Sequence, residues 1–232
     1  MKKYYWLILI LILIIISVAL FPTIFDRIKN LKIVENNRST DPKPLSYIEL
    51  NGEAKKVPSF LMTNQNNLLI SNEDFNGKVY LVEFFFTTCT TICPVMNKNM
   101  KRLENMFGHR DDFGIASFTI DPDNDKPKVL KEYSELFEVF SDNWHFLTSD
   151  KKTVHNLSNK GFNIFSSINP DVADGFEHQG YFALIDKKGY IRSRLDSYGN
   201  PIVYYLGIDL DDQKLIDGTE MLIEDIPKLF NE

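Results

Sequence analysis

The sequence predicts an α/β domain with a mixed central sheet and helices on both faces, preceded by one N-terminal transmembrane helix. Three observations predict it. A run of 22 residues from Tyr4 to Phe25 carries no charged side chain, and about 20 apolar residues span a bilayer as a helix. Beyond it, short β-rich apolar runs alternate with segments whose apolar residues recur every three or four positions. The chain then closes on a strand pair and a helix. A hydrophobic fraction of 44% with 18 Phe and 10 Tyr supplies a core, which excludes wholesale disorder.

Lys2 and Lys3 precede the apolar run, which favours a cytoplasmic N-terminus and an exported C-terminal domain. A cleaved signal peptide is the competing reading, with Ser17-Val18-Ala19 as a small-residue cleavage site. The run continues past Ala19, which favours an uncleaved anchor over residues 1–25. No cysteine follows it, which excludes a lipoprotein. Both readings export the domain. Residues 26–44 are polar, mixed in charge and end in two prolines, and read as a tether. The globular domain is expected over 45–232. The net charge of −6 becomes −6 − 2 = −8 without the first 25 residues. That balance argues against nucleic acid as a partner.

Each element has its own signal. Tyr47–Leu50 and Phe60–Met62 read as short strands, with a hairpin around Asn51-Gly52. Val79–Phe86 is nearly all apolar and suits a buried central strand. Pro94–Phe107 places Met96, Met100, Leu103 and Phe107 on one helical face. Gly114–Ile120 is a second buried strand. Pro127–Phe140 reads as a helix with Leu130, Tyr133, Leu136, Phe137 and Phe140 as its apolar side. Trp144–Leu147 is a short strand and Lys151–Lys160 a short helix. Tyr181–Asp186 and Tyr190–Leu195 form a hairpin across Lys187-Lys188-Gly189, and Gly218–Phe230 is the closing helix. The order β-α-β-α-β-(α)-β-β-α matches the plan of a thioredoxin-like fold.

The two cysteines, Cys89 and Cys93, cannot staple a fold or make a four-thiolate site. They lie in Thr87-Thr88-Cys89-Thr90-Thr91-Ile92-Cys93-Pro94, between the central strand and the first long helix. The threonines are candidates to accept from early helical amides, and Pro94 fits the first turn. Amide dipoles there stabilise a thiolate. A four-residue spacing brings both sulfurs to one side if the turn is helical. The pair can then bind one soft metal ion or close a disulfide, although so small a loop gains little stability from a crosslink. Two thiolates with an imidazole suit copper as Cu(I) or Cu(II). Four histidines compete for the third place. His109 follows the first helix, His145 lies within a strand and His155 sits on the short helix. His178 lies in the loop entering the Tyr181 strand, which in a thioredoxin plan faces the cysteines. Spacing alone leaves that choice open.

These residues resemble the SCO/SenC family of copper-binding, thioredoxin-fold assembly proteins. The resemblance runs from about Val57 to the C-terminus. It rests on Asp74-Phe75-Asn76-Gly77-Lys78, Cys89-x3-Cys93-Pro94, Asp121-Pro122-Asp123-Asn124-Asp125, Trp144-x-Phe146-Leu147, the His178 loop, Asp217-Gly218-Thr219 and Glu224-Asp225-Ile226. It implies that Cys89, Cys93 and His178 bind one copper ion. It further implies that the partner is cytochrome c oxidase subunit II, whose binuclear copper centre would receive copper, have its cysteines reduced, or both. The expected location is the cytoplasmic membrane, single-pass, with the domain on the extracytoplasmic side. Two departures stand out: Thr90-Thr91 replaces a common Pro-Asp, and Glu177 replaces a common Asp before the histidine.

Other signals are weaker. Asp121, Asp123, Asp125 and Glu132 imitate a calcium loop, but Lys126 stands where the turn needs Gly; the stretch reads as a turn and helix cap. Met96, Met100 and Met106 read as filler rather than thioether ligands. Asp209, Asp211 and Asp212 read as solvated surface. The alternative function is a metal-free extracytoplasmic thiol–disulfide oxidoreductase using Cys89 and Cys93 as a redox pair. Its usual cysteine spacing is shorter by one residue. A peroxiredoxin is disfavoured because Phe86 stands where that family has proline.

Overall fold

A computed structural model describes residues 44–169, 171, 175–208 and 218–232. The expected anchor and the acids Asp209, Asp211 and Asp212 lie outside the described residues, as does the expected tether up to residue 43. Among the described residues, no helix is long and apolar enough to cross a membrane.

In chain order the strands are β1 Ser46–Tyr47, β2 Glu49–Leu50, β3 Glu53–Ala54, β4 Leu61–Asn64, β5 Leu69–Ser71, β6 Val79–Phe85 and β7 Phe113–Thr119. They continue as β8 Trp144–Thr148, β9 Ser166–Ile168, β10 Phe176–His178, β11 Tyr181–Ile185, β12 Ile191–Ser193 and β13 Tyr205–Leu206. The helices are α1 Cys93–Phe107, α2 Pro127–Leu136, α3 Lys151–Asn156 and α4 Gly218–Phe230. Strand order across the main sheet is β1-β12-β11-β6-β7-β8-β4-β5, with β13 paired to β11.

The centre of this sheet is parallel. β6 pairs with β7 and β7 with β8, in registers such as Val82↔Ala116 and Phe118↔Leu147. Parallel neighbours require crossovers, and α1 and α2 supply them. Every residue of β6 and of β7 is buried, so both faces of the centre are covered, as the near-continuous apolar runs require. The flanks are antiparallel: β11 against β6 and β4 against β8. The sheet is therefore mixed. Phe107 on α1, Phe113 on β7 and Phe230 on α4 pack ring to ring, which joins the first and last helices.

Arg192 on β12 is a buried cation outside the site. It donates to Asp186 Oδ2 at 3.0 Å, to Leu45 O at 2.7 Å and to Glu232. Paired and hydrogen-bonded, it avoids the cost of an isolated buried cation, and it ties Leu45 to the C-terminal residue.

Several elements differ from expectation. The Asn51-Gly52 turn forms with both residues at positive φ, as a tight hairpin demands, but it joins β2 to β3. The Tyr47–Leu50 strand breaks at Ile48, whose amide donates to Ile191 O. Helix α2 stops at Leu136 rather than Phe140. Glu138 takes φ 51°, and the amides of Glu138 and Val139 donate to Glu135 O and Ser134 O. That is a Schellman stop built without glycine. Leu136 is consequently 74% exposed and Phe140 43% exposed, so neither belongs to the buried side. The short helix after Lys151 turns into a π-helical segment over Leu157–Phe162. The hairpin β9–β10 and the strands β5 and β13 carry no periodic signal.

Candidate metal centre

Strand β6 delivers the chain from the buried centre of the sheet directly to the cysteine loop. Cys89 N donates to Phe86 O at 3.3 Å, and the loop enters α1 at Cys93. The expected threonine cap is absent: Ile92 occupies the cap position with no side-chain hydrogen bond. Its place is taken by sulfur. Cys93 N donates to Cys89 Sγ at 3.4 Å, so an otherwise orphaned helix amide points at the first cysteine. Thr91 Oγ1 lies 3.6 Å from the same sulfur.

The loop is held from below by a carboxylate. Asp125, in the turn after β7, is fully buried. Its Oδ2 accepts from Thr87 N at 3.1 Å, and its two oxygens accept from the hydroxyls of Thr87 and Thr119. Asp125 thus fixes the residues leading to Cys89. The turn reading of this stretch holds, since Asp121 O accepts from the amides of Asn124 and Asp125. The helix-cap reading does not: Lys126 is the cap residue of α2 and caps with no side chain.

The third side chain arrives on β10. Ser166↔His178 and Phe176↔Ile168 pairing with β9 holds this strand, and the His178 ring stands edge-on to Phe86 at 5.6 Å. His178 Nε2 lies 3.2 Å from Cys93 Sγ. One ligand atom from each of Cys89, Cys93 and His178 lies within 4.8 Å of the other two. Two metal–ligand bonds of at most about 2.3 Å bridge at most about 4.6 Å, so a closure of a few tenths of an ångström brings all three onto one ion. Among the described residues no fourth Cys, His, Asp or Glu joins this group.

The two sulfurs are electrostatically unlike. Cys89 is held down to about 3, chiefly by the hydrogen bond from the Cys93 thiol and further by His178, the Cys93 amide and Thr91, against the opposing effect of burial. Cys93 is fully buried. Burial and the neighbouring Cys89 thiolate push its thiol well above the ordinary range. Without metal the pair therefore shares one proton, held on Cys93.

The other histidines are elsewhere. His109 stacks on Phe140 at 4.5 Å. His145 Nδ1 lies 3.2 Å from Asn64 Nδ2 and its ring packs on Phe75. His155 Nδ1 lies 3.2 Å from Ser166 Oγ. Met96 and Met100 are buried in the core and Met106 is half exposed. Glu177, which precedes His178, is exposed and accepts from Asn169 Nδ2 at 2.7 Å. His178 Nδ1 is buried with no hydrogen-bond partner, so the usual carboxylate support of a ligating imidazole is lacking among the described residues.

Two supporting groups escape sequence reasoning. Asp125 is one, hidden in a motif that imitates a calcium loop. The other is Glu83, fully buried in β6. Its Oε1 accepts from Ser117 Oγ at 2.6 Å, and Ser117 Oγ in turn accepts from Trp144 Nε1 at 2.9 Å. A single acid within the run Val79–Phe86 is a signal for it. Burial pushes Glu83 up to about 7.

This arrangement defines a class: a thioredoxin-like domain whose cysteine pair at a helix N-terminus is completed by a histidine into a soft three-donor site. The SCO1/SenC family profile matches residues 49–208, and the chain belongs to that family. The SCO1 protein homolog of Bacillus subtilis strain 168 is 35% identical over 150 residues, covering 64% of this chain and 73% of its own. A SCO1/SenC family lipoprotein of Bacillus anthracis has a crystal structure that superposes with a TM-score of 0.62 at 29% identity, over 75% of this chain and 95% of that one. BsSco, described as a member of the Sco family of cytochrome c oxidase assembly proteins and as carrying a disulfide switch, superposes at 0.60 and 29% identity, over 76% and 94%.

Proposed function

We propose that this chain is a membrane-anchored copper protein of cytochrome c oxidase assembly. Cys89, Cys93 and His178 hold one copper ion and pass it to the binuclear copper centre of subunit II. The observation that carries this reading is the convergence of the three donors within 4.8 Å. Two sulfurs and one imidazole form a soft, low-coordinate set that suits copper, whereas structural zinc takes four protein ligands. Residues 1–25 serve as the transmembrane anchor, 26–44 as the tether and 45–232 as the extracytoplasmic domain. The B. anthracis relative is a lipoprotein by name, which supports a membrane-associated domain.

The contrast between the two sulfurs favours a second reading of the same site. A thiolate at Cys89 beside a protonated Cys93 is the arrangement that attacks a disulfide. In that reaction the Cys89 thiolate bonds to one sulfur of an oxidised subunit II disulfide. Cys93 then gives up its proton and displaces the mixed disulfide. The products are a Cys89–Cys93 disulfide and a reduced partner dithiol, a balanced two-electron exchange.

Copper-loaded full-length protein mixed with reduced, metal-free subunit II separates the readings. Appearance of the binuclear copper absorbance with matching loss from the donor supports delivery. Reduction of an oxidised subunit II by the copper-free dithiol, with no metal transfer in the first experiment, supports the reductase alone. Neither event would overturn both.

A further inference from the structure

A cleft of about 300 Å³ is walled by Ile48–Leu50 and Lys55 on one side and by the segment from Ile202 to Tyr204 on the other, and Gln179 in its lining directly follows His178. Its lining includes Ile48, Lys55, Gln179, Tyr181, Val203 and Tyr204. Lys55 is partly buried, and this burial lowers the pKa of its ammonium. No carboxylate lies within ion-pair distance of it among the described residues. Glu49 also lines the cleft but does not reach Lys55. A partly buried ammonium with no counter-ion among the described residues gains from an anion placed beside it.

The opposite wall is strained. Val203 has φ +68°, rare for a β-branched residue. Tyr204 N donates to Ile202 O at 2.9 Å, closing a γ-turn of the strained positive-φ kind around Val203. The turn is held on both sides: Ile202 N donates to Arg194 O, and the Tyr204 hydroxyl donates to Phe162 O. Such strain persists where the surroundings enforce it and gathers at ligand clamps. Gln179 adds a side-chain amide nitrogen with no partner among the described residues, its oxygen being used by Phe165 N.

We propose that this cleft is a second binding site, for a carboxylate carried on a small apolar body. Lys55 takes the carboxylate, and the rings of Tyr181 and Tyr204, 6.4 Å apart, take the apolar part with Ile48. The volume limits the body to about the size of one aromatic ring. One cation with no ion pair among the described residues matches a monoanion better than a phosphate. The carboxylate comes from a free organic acid or from the C-terminus of a peptide.

Ligand-observed NMR on the full chain tests this, with 3-phenylpropionate, its amide and acetyl-Ala-Ala-Phe as probes. Saturable binding of an acid is expected in the about millimolar range, and about tenfold weaker binding of the amide. Lys55→Met weakens the acid about tenfold, and Lys56→Met, which removes a neighbouring exposed lysine, does not. Tighter binding of 3-phenylpropionate points to a free acid, and tighter binding of the peptide to a chain terminus. Copper stoichiometry stays unchanged in Lys55→Met, which shows the variant folded and the two sites separate. No saturable binding of either acid, or equal binding of acid and amide by the unaltered chain, overturns the proposal. Equal binding by Lys55→Met overturns it as well.

Discussion

Cys93 Sγ lies 3.2 Å from His178 Nε2, although 85 residues separate them in the chain. The contact joins the first turn of α1 to the end of a two-stranded hairpin. Burial and the neighbouring Cys89 sulfur leave Cys93 as the protonated member of the pair, and the hydrogen bond from Cys93 leaves Cys89 as the thiolate.

That division predicts a reactivity pattern. In reduced, copper-free protein, alkylation should fall on Cys89 and vary little between about pH 5 and about pH 8. An ordinary thiol of pKa about 8.5 would lose about a thousandfold over that span. Mass spectrometry of iodoacetamide-treated protein reads both site and rate. A Cys89 rate that climbs steeply with pH would contradict the assignment.

Asp125 is predicted to set the cysteine loop. Asp125→Asn keeps the size but replaces one accepting oxygen with a donor facing Thr87 N–H and two hydroxyls. A loss of about 2–3 kcal/mol in urea unfolding is expected, since buried donors lose their acceptor. Copper affinity, read by competition with a Cu(I) chelator, should fall about tenfold with it. Unchanged stability and affinity would remove Asp125 from its positioning role.

Glu83 makes stability depend on pH. Burial raises its folded pKa from the ordinary carboxylate value of 4.5 to about 7. Its contribution is therefore complete below the unfolded pKa and is lost as pH rises through about 7. Between about pH 5 and about pH 8 the wild type should lose at most about 3 kcal/mol relative to Glu83→Gln. Parallel urea curves for the two proteins at both pH values measure the difference. A constant gap would mean that Glu83 does not change its charge in this range.

Much of the fold was legible because the sheet centre is buried on both faces. Val79–Phe85 is apolar apart from Glu83, and Phe113–Thr119 apart from Ser117 and Thr119, and α4 matches its expected span of Gly218–Phe230. What was illegible depends on partners distant in sequence. Glu138 in a left-handed conformation ends α2 with none of the glycine that usually marks such a stop. Ser166–Ile168 and Phe176–His178 become strands only by pairing with each other. Cys89 and Cys93 were legible as a pair from their place before α1. The choice of His178 needed the thioredoxin plan, and its contact with Cys93 follows from the β9–β10 hairpin. The threonines failed as caps because Thr87 is taken by Asp125 and a cysteine sulfur receives the first helix amide.

The central claim is that Cys89, Cys93 and His178 form one copper site. Titration of the reduced full-length protein with copper, followed by thiolate charge-transfer absorbance, tests it most directly. The expected result is one tightly bound ion per chain, lost or greatly weakened in Cys93→Ser and in His178→Ala, and retained in His155→Ala. Binding by Cys93→Ser and His178→Ala with the stoichiometry and affinity of the unaltered protein would contradict it.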